Sequence, residues 1–443
     1  MRASLISGCL NTVTLVPCRE RTLALMKVLL LNQTFYPDVA STAQHLTDFA
    51  LRLVERGHEV TVVTSQRAYD NPATRFPKQE NWRGIVIQRV NSTRLGKGAK
   101  WRRAADFGSF IAFCCLRLAL LPRHDAIVAL TSPPLISFIG AWLAFVKRSR
   151  FLYWVMDLNP DEAIAAGWLN ERSFLGMTLN RMSKFSLKRA DKIIALDRFM
   201  RDRILGKGIA PQRVTVIPPW SHDDAVRFDA EGRERFRKAH GLKGKFVMMY
   251  SGNHSPCHPL DSLLEAAQRL AGESKYAFCF VGGGSEFARV KRFAAQHGLQ
   301  NVVTLPYQPL DQLAASLSAA DLHVVVMGNA FVGTIHPCKI YNILSVAAPV
   351  LYIGPQPSHV SEILMELEQN QVCGSVGHGD VDAIMQELTS ISANGKHGDG
   401  NAFSRVAARF SKAMLMSQLV AELERISRSE PKPDSAMSLN EAR

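Results

Sequence analysis

Short apolar runs alternate with longer amphipathic stretches along most of the 443-residue chain. Val28–Asn32 has the pattern of a buried strand, and Ser41–Glu55 repeats apolar residues at helical spacing. The other predicted strands are Glu59–Thr64, Ile85–Val90, Ala126–Ala129, Phe151–Val155, Lys192–Leu196, Val214–Ile217, Phe246–Ser251, Ala277–Val281, Val302–Leu305, Leu322–Val326 and Val350–Ile353. Strands and helices that alternate in this way indicate parallel sheets covered by helices on both faces.

The alternation is interrupted at Pro218–Asp224 and then resumes. Because a chain of this length exceeds the usual size of one hydrophobic core, we predict an α/β protein with two Rossmann-like, doubly wound domains facing across a cleft. The expected boundaries are 26–217 for the first domain, 218–402 for the second and 403–427 for a long final helix, with a return to the first domain as one option. Residues 1–25 are expected to be a disordered extension or a mis-assigned start, and residues 428–443 a disordered tail.

Lysine and arginine (53 residues) outnumber aspartate and glutamate (39), and the formal net charge is +14. A basic surface favours anionic partners such as phosphorylated substrates or a membrane face. The sequence has no zinc-finger spacing or RNA-binding aromatic motif that would point to nucleic acid. None of the eight cysteines forms a C-x-x-C pair, which favours reduced thiols in a cytoplasmic protein.

Two apolar runs have some features of membrane spans. Phe107–Leu121 carries Arg117, and Ala126–Val146 is split by Pro133 and Pro134. Neither offers the roughly 20 unbroken apolar residues that a span needs. We therefore predict a buried helix from the first run, and a strand, turn and helix from the second.

The loop after the first strand, Gln33–Ser41, mixes aromatic and polar residues and has no G-x-G-x-x-G motif. Since ligands bind beyond the carboxyl ends of parallel strands, this loop is a candidate site. The missing glycines disfavour a dinucleotide cofactor, and the composition suits an acceptor molecule better, with Tyr36, Pro37 and Ser41 as candidate contacts. The alternative is a packed connector.

Two glycine turns follow strands of the second half. The first contains Gly252, Asn253, His254 and His258, and the second is Gly282-Gly283-Gly284. Glycine lets a ligand approach the backbone closely, and the amides at the start of a following helix favour phosphate. His254, Cys257 and His258 lack a fourth zinc ligand, so we expect no metal.

The stretch Gly333–Pro349 carries the most specific chemistry. Pro337 is suited to start a helix, which would place Lys339 in the first turn, where its charge opposes the helix dipole unless an anion is bound. Asn342 would lie on the same face, where it could bind ribose hydroxyls. Thr334 and Ile340 are further candidate binding residues in this stretch. The alternative is a solvated lysine and a polar surface asparagine.

The order of these motifs resembles that of family 4 glycosyltransferases. The similar segments are Asn32–Asp38, Gly57–Val62, Asp157–Pro160, Asp191–Leu196, Tyr250–Asn253, Val281–Gly284 and Pro337–Leu344 with Pro349. This resemblance covers most of the chain and implies the glycosyltransferase-B fold, with a nucleotide-diphospho-sugar held by the second domain and an acceptor by the first. A UDP-sugar is favoured as donor. The implied mechanism retains the anomeric configuration and needs neither a cofactor nor an essential metal.

Within that resemblance, Lys339 would stabilise the charge of the leaving diphosphate, and Asp157 would orient the acceptor hydroxyl. Thr334 and Asn342 stand where many relatives have a pair of glutamates, and His254 and His258 lie where many have a basic pair. Two alternatives therefore stay open: a sugar-nucleotide 2-epimerase, and an inactive homologue that acts as a scaffold subunit.

The expected acceptor is a glycan or a polyprenyl-linked sugar in exopolysaccharide, O-antigen or capsule synthesis. Residues 94–103 are basic with one tryptophan, Trp101, and precede an apolar helix. Such an edge suits peripheral contact with an anionic membrane, so we expect a cytoplasmic protein that can associate with the inner face of the cell membrane. The alternative for this stretch is a solvated loop.

Overall fold

The computed structural model describes residues 25–38, 40–68, 73–93, 100–367, 373–394 and 400–428. Its first sheet has eight strands in the order β3-β4-β2-β1-β5-β6-β7-β8, and only the β3–β4 pair is antiparallel. The strands are β1 (Lys27–Leu31), β2 (Glu59–Ser65), β3 (Gln79–Trp82), β4 (Ile85–Val90), β5 (Ala126–Ala129), β6 (Arg150–Trp154), β7 (Lys192–Ala195) and β8 (Val214–Val216).

The second sheet is parallel throughout, in the order β11-β10-β9-β12-β13-β14. Its strands are β9 (Phe246–Asn253), β10 (Tyr276–Gly283), β11 (Val302–Leu305), β12 (Leu322–Val326), β13 (Val350–Ile353) and β14 (Cys373–Val376). The predicted α/β class with two parallel-sheet cores is therefore confirmed. The sequence pattern missed β3 and β14.

Helices connect the strands and cover both sheets. They are α1 (Ser41–Glu55), α2 (Lys100–Leu120), α3 (Ile136–Val146), α4 (Asp161–Ala165), α5 (Phe174–Arg189), α6 (Arg198–Gly206), α7 (Ala230–Ala239), α8 (Asp261–Arg269), α9 (Phe287–Gln296), α10 (Leu313–Ser318), α11 (Lys339–Ser345), α12 (His359–Met365), α13 (Val381–Asn394), α14 (Gly400–Ala408) and α15 (Lys412–Arg428). The bounds of α1 are those that its apolar periodicity predicts.

The direction of strand order changes once in each sheet. In the first sheet the change lies between β1 and β5, and in the second between β9 and β12. A crevice opens at such a point because neighbouring connections leave on opposite faces, and ligands of open α/β sheets bind there. The loops that follow these strands carry most of the predicted site residues.

The predicted single helix 403–427 is wrong, because the chain breaks between α14 and α15. At the break the carbonyl oxygen of Phe410 accepts hydrogen bonds from the backbone N–H of Ser221 (2.9 Å) and from its hydroxyl (3.1 Å). The backbone N–H of Lys412, the first residue of α15, donates to Asp223 Oδ1 at 3.1 Å. The segment that joins the two sheets therefore satisfies the backbone groups that an uninterrupted helix would pair internally.

Helix α15 packs on α1 and on strands β6 and β7 of the first sheet. Its buried Glu424 accepts hydrogen bonds from the guanidinium of Arg56, at 3.0 and 3.2 Å, and lies 3.3 Å from His58 Nε2. The last described helix is thus tied to the sheet that begins the chain. The domain limits drawn from the sequence stay predictions.

None of the described helices combines the length and the apolar character that crossing a membrane requires. Helix α2 is not the buried helix that was predicted, because Phe113, Leu116 and Leu120 on it are exposed. Residues 94–99 of the predicted membrane-contact stretch lie outside the described residues. The predicted N-terminal extension and C-terminal tail also lie outside them, except for Leu25 and Arg428.

Candidate functional site

Loops from the two sheets meet at the carboxyl ends of their central strands. Ser41 Oγ, at the start of α1, lies 3.3 Å from Cys338 Sγ, next to the start of α11. The backbone N–H of Leu158, after β6, donates to the carbonyl oxygen of Thr334 at 2.8 Å. The loop predicted to hold an acceptor and the stretch predicted to hold a donor are therefore in direct contact.

The two glycine turns pack against each other where β9 and β10 end. Gly252 has φ +136° and Gly282 has φ +132°, in the region that side chains rarely adopt. A Cβ at Gly282 would lie 2.1 Å from the carbonyl oxygen of Gly252, and one at Gly284 would lie 2.3 Å from that of His254. Only glycine fits at these positions, and the turns expose backbone to the crevice.

Lys339 lies beneath the first glycine turn. Its Nζ is buried, has no hydrogen-bond partner among the described residues, and sits 3.6 Å from the centroid of the Tyr250 ring. A Cβ on Gly252 would come within 3.3 Å of Nζ, so the ammonium group faces bare backbone. Burial lowers the pKa of Lys339 from 10.5 to about 7. An unpaired buried cation is costly, and a bound anion would remove most of that cost.

His254 and His258 flank this lysine in the neutral state. Burial, followed by the charge of Lys339, lowers their pKa values to about 4 and about 3. His254 Nδ1 lies 3.0 Å from the carbonyl oxygen of Gly252, and His258 Nδ1 lies 2.7 Å from that of Val326. Since a carbonyl oxygen can only accept, Nδ1 carries the proton in both rings, and each Nε2 is left as an acceptor. In this state neither Nε2 carries a proton that it could donate to a phosphate.

Asp157 enters the site from the loop after β6, with a second carboxylate beside it. Burial, followed by the negative charge of Glu162, raises the pKa of Asp157 to about 8. Burial also raises the pKa of Glu162, whose Oε1 accepts a hydrogen bond from Cys257 Sγ at 3.7 Å. The charge of Glu162 and the burial of the site therefore both favour the protonated form of Asp157. Glu162 is not among the residues predicted from the sequence, although its place in the first turn of α4, five residues after Asp157, could have indicated it.

The side chains of Thr334 and Asn342 are already engaged within the protein. The Thr334 hydroxyl is buried and donates to the carbonyl oxygen of Phe331 at 2.9 Å. The Asn342 carboxamide oxygen accepts from the backbone N–H of His222 at 2.9 Å, which anchors the segment between the sheets. Both side chains thus have partners within the protein, and their contacts with a nucleotide stay predictions.

Ile340 and Pro337 are placed differently from the arrangement predicted for the donor site. Ile340 is fully buried in the core, so only its backbone is available to a ligand. Pro337 lies two residues before α11 and does not occupy the first helical position. Lys339 is nevertheless the first residue of that helix, as the predicted first-turn position requires.

The candidate acceptor contacts Tyr36, Pro37 and Ser41 differ in their exposure to solvent. Tyr36 is half-buried and stacks on Trp82, with ring centroids 3.9 Å apart. Pro37 and Ser41 are exposed. Among the donor-turn residues, Asn253 is exposed and its carbonyl oxygen accepts from the Tyr250 hydroxyl at 2.8 Å.

An aromatic side chain that the sequence analysis did not single out covers the second glycine turn. A Cβ on Gly283 would lie 2.9 Å from the Tyr307 ring, and 39% of Tyr307 is exposed. Tyr307 follows β11, the strand next to β10, so it lies at the same edge of the sheet. An exposed ring over bare backbone is suited to stack on a flat ligand group.

One group of side chains among the described residues has a composition that could hold a metal: Asp197, His336 and His359, with ligand atoms within 4.8 Å of one another. Asp197 Oδ2 and His336 Nδ1 are only 2.7 Å apart, and His336 Nε2 lies 2.5 Å from the Tyr341 hydroxyl. Burial alone would raise the pKa of Asp197, but these histidines and the Met200 N–H lower it to about 2. The geometry is that of a hydrogen-bonded chain between α6 and α11, with no gap for an ion between Asp197 and His336.

Two family comparisons match consecutive parts of the chain. Residues 42–220 match the family described as glycosyl transferase 4-like domain, and residues 232–336 match glycosyl transferases group 1. A protein of Escherichia coli (strain K12) with the provisional name colanic acid biosynthesis glycosyl transferase WcaI is 26% identical over 393 residues. That match covers 84% of this chain and 93% of the relative.

Solved structures share the fold at low identity. Anabaena HepE, solved in complex with UDP-glucose, superposes with a TM-score of 0.68 at 16% identity, over 90% of this chain and all of HepE. Sucrose-phosphate synthase from Thermosynechococcus elongatus has a TM-score of 0.70 at 15% identity, over 90% and 99% of the two chains. WaaG, a glycosyltransferase involved in lipopolysaccharide biosynthesis, has a TM-score of 0.63 at 15% identity, over 89% and 99%. With the family matches, these findings confirm the resemblance, and the chain belongs to the family 4 glycosyltransferases, with the glycosyltransferase-B fold.

Proposed function

We propose that this glycosyltransferase moves a sugar from a UDP-sugar to a glycan or lipid-linked acceptor in surface polysaccharide synthesis, with retention of anomeric configuration. The observation that carries the donor proposal is the buried Nζ of Lys339, which has no hydrogen-bond partner in the described part of the chain and lies beneath the bare backbone of Gly252. The names of the relatives support the rest: WcaI with colanic acid, WaaG with lipopolysaccharide, and HepE with bound UDP-glucose.

In this proposal the diphosphate lies against the two glycine turns. As the bond between the sugar C1 and the diphosphate oxygen breaks, negative charge grows on that oxygen. The ammonium group of Lys339 stabilises this charge where water is excluded, and an interaction of that kind lowers the barrier more than it strengthens ground-state binding. No metal or cofactor is needed for this step.

The acceptor hydroxyl approaches C1 from the same face that the diphosphate leaves. The new C1–O bond forms there, and the hydroxyl proton passes to the departing phosphate oxygen. Asp157 orients the hydroxyl by accepting its hydrogen bond, and the ionised carboxylate is the stronger acceptor. The negative charge of Glu162 favours the protonated form of Asp157 and so helps to set the pH at which the Asp157 carboxylate forms.

The test is calorimetric titration with UDP-, GDP- and dTDP-sugars, followed by product analysis with a matched acceptor. We expect binding of one UDP-sugar, and a product with the anomeric configuration of the donor. Binding of GDP-sugars alone would refute the nucleotide assignment, and an inverted product would refute retention. A chain that binds none of these donors would be a scaffold rather than an enzyme.

A further inference from the structure

The first sheet carries an apolar cavity beside the site, on the side covered by α3, α4 and α5. Its volume is about 200 Å³, and its wall includes Leu135, Phe138, Ala163, Leu169 and Leu179. Nothing in the proposed donor chemistry uses it.

The hydroxyl groups in the wall are satisfied by the protein itself. Ser183 Oγ donates to the carbonyl oxygen of Asn159 at 2.9 Å, and Ser186 Oγ donates to that of Met182 at 3.0 Å. Ser137 Oγ donates to Ser186 Oγ at 3.5 Å. The cavity therefore presents hydrocarbon and makes little demand for a polar ligand.

The same wall reaches the proposed acceptor position. Thr131 lines the cavity, and its Oγ1 accepts a hydrogen bond from the backbone N–H of Asp157 at 3.2 Å. Asn159 and Pro160, two and three residues after Asp157, also line it. A molecule whose hydroxyl meets Asp157 can thus place an attached tail in the cavity.

Apolar side chains continue from the cavity onto the surface. Leu175 lies one turn before Leu179 on α5 and is 58% exposed, and Trp142 lies one turn after Phe138 on α3 and is 52% exposed. Residues four apart share a helix face, so these two helices carry an apolar track from inside to outside. Phe174, at the start of α5, is 81% exposed.

Helix α5 contains no carboxylate and exposes four cations, Arg181, Lys184, Lys188 and Arg189. At helical spacing Arg181, Lys184 and Lys188 face away from Leu175 and Leu179, so they do not border the track. Arg189 lies nearer to that face, and its guanidinium stacks over the Phe145 ring of α3 at 4.4 Å from the centroid.

The backbone at the cavity wall is strained. Leu135, which precedes α3, has φ +80°, a conformation that is costly for a bulky side chain. Strain of this kind is found where the surrounding structure holds a side chain in place for a ligand.

We infer that the cavity binds the first isoprenoid unit or units of a polyprenyl-diphosphate-linked acceptor. In another protein an apolar cavity of about 150 Å³ stays dry and takes up benzene, a six-carbon ring. A cavity of about 200 Å³ is therefore large enough for a five-carbon isoprene unit. The inference rests on the proposed function, because the tail matters only if its headgroup is the acceptor.

The test uses farnesyl diphosphate below its micellar concentration as the probe and inorganic diphosphate as the tail-free reference, both titrated calorimetrically into the full-length protein. We expect farnesyl diphosphate to bind the wild type at least tenfold more tightly than inorganic diphosphate. Ala163→Leu fills the cavity and should weaken farnesyl diphosphate binding at least tenfold without changing inorganic diphosphate binding. Ala165→Leu, on the same helix but outside the cavity lining, is the matched control and should bind like the wild type.

Binding of the preferred UDP-sugar is measured on the same three proteins. If the donor binds and Ala163→Leu leaves the farnesyl affinity unchanged, the cavity inference is overturned while the proposed function stands. If no donor binds but the farnesyl diphosphate results are as expected, the proposed function is refuted and the cavity inference stands.

The cavity can also be tested on the wild type alone, so the test does not depend on the folding of Ala163→Leu. A farnesyl diphosphate with a photoreactive diazirine near the first isoprene unit is bound and cross-linked, and the labelled residues are identified. Labelling at Leu135, Phe138 or Ser183 supports the cavity. Labelling confined to the exposed Trp142 and Phe174 would show that the tail lies only on the outer surface, and would overturn the inference.

Discussion

Replacing Lys339 with methionine should change donor binding and stability in opposite directions. Methionine is unbranched and apolar, so it can keep the contact with Tyr250 while it removes the buried charge. Loss of one charge-assisted contact to a diphosphate costs about 2 kcal/mol, which corresponds to roughly 30-fold weaker donor binding. Turnover should fall further, because the contact strengthens as the leaving group gains charge.

The stability gain follows from the pKa of Lys339, which is about 7 in the folded protein against 10.5 unfolded. At 1.4 kcal/mol for each pKa unit, the buried ammonium costs the free enzyme on the order of 4 kcal/mol near neutral pH. Replacing buried ionic groups by apolar ones gives gains of about 1–4 kcal/mol in practice, so we expect Lys339→Met to raise the free energy of unfolding by about 2–4 kcal/mol.

The free energy of unfolding of the wild type should also depend on pH. Below pH 7 Lys339 is protonated in both the folded and the unfolded wild type, and the cost of burying its charge is present in full. Above pH 10.5 it is deprotonated in both states, and this cost is gone. Between these values the unfolded state binds more protons, so the Lys339 contribution makes the wild type more stable as pH rises. Lys339→Met should lack this rise.

The assays are urea unfolding at several pH values and calorimetric titration with the preferred UDP-sugar. Lys291→Met is the matched control, because Lys291 Nζ also lies over an aromatic ring, 4.7 Å from the centroid of Phe287, but on an exposed residue. The control should change both quantities by less than about 0.5 kcal/mol. A Lys339→Met protein that is less stable than the wild type and binds the donor equally well would refute the idea that this lysine is held for an anion.

Three other substitutions test separate parts of the structure. Glu162→Gln should lower the pH midpoint for acceptor turnover, because it removes the like charge that helps to raise the pKa of Asp157; an unchanged profile would show that the pair does not control the step. Gly252→Ala should weaken donor binding, measured by calorimetry, at least tenfold. Its Cβ would lie 3.3 Å from Lys339 Nζ, and the backbone φ of +136° disfavours any side chain. Donor binding like the wild type would contradict the proposed position of the diphosphate. Glu424→Ala should lower the free energy of unfolding by about 2–4 kcal/mol in urea denaturation, because Arg56 and His58 lose the carboxylate that they contact. A loss below about 1 kcal/mol would mean that the ion pairs of α15 contribute little.

Apolar periodicity identified most of the strands and helices because burial on a sheet or a helix face imposes a fixed repeat. Ser41–Glu55 and Ile85–Val90 have the predicted bounds for this reason. Periodicity missed β3 and β14, since Gln79–Trp82 is a polar edge strand and Cys373–Val376 is short and contains glycine and serine. The break at Phe410 was missed for another reason: hydrogen bonds from a segment nearly 190 residues away end the helix.

At the site, the local chemistry is readable from the sequence: glycines lie at the ends of β9 and β10, a lysine opens α11, and an aspartate follows β6. How each of these side chains is used depends on tertiary contacts. Thr334 and Asn342 bond to backbone groups within the protein, the charge of Glu162 acts on Asp157, and the buried Lys339 ammonium has no hydrogen-bond partner among the described residues. Burial and pairing depend on groups distant in the chain, and the loops of the two sheets bring those groups together across the crevice.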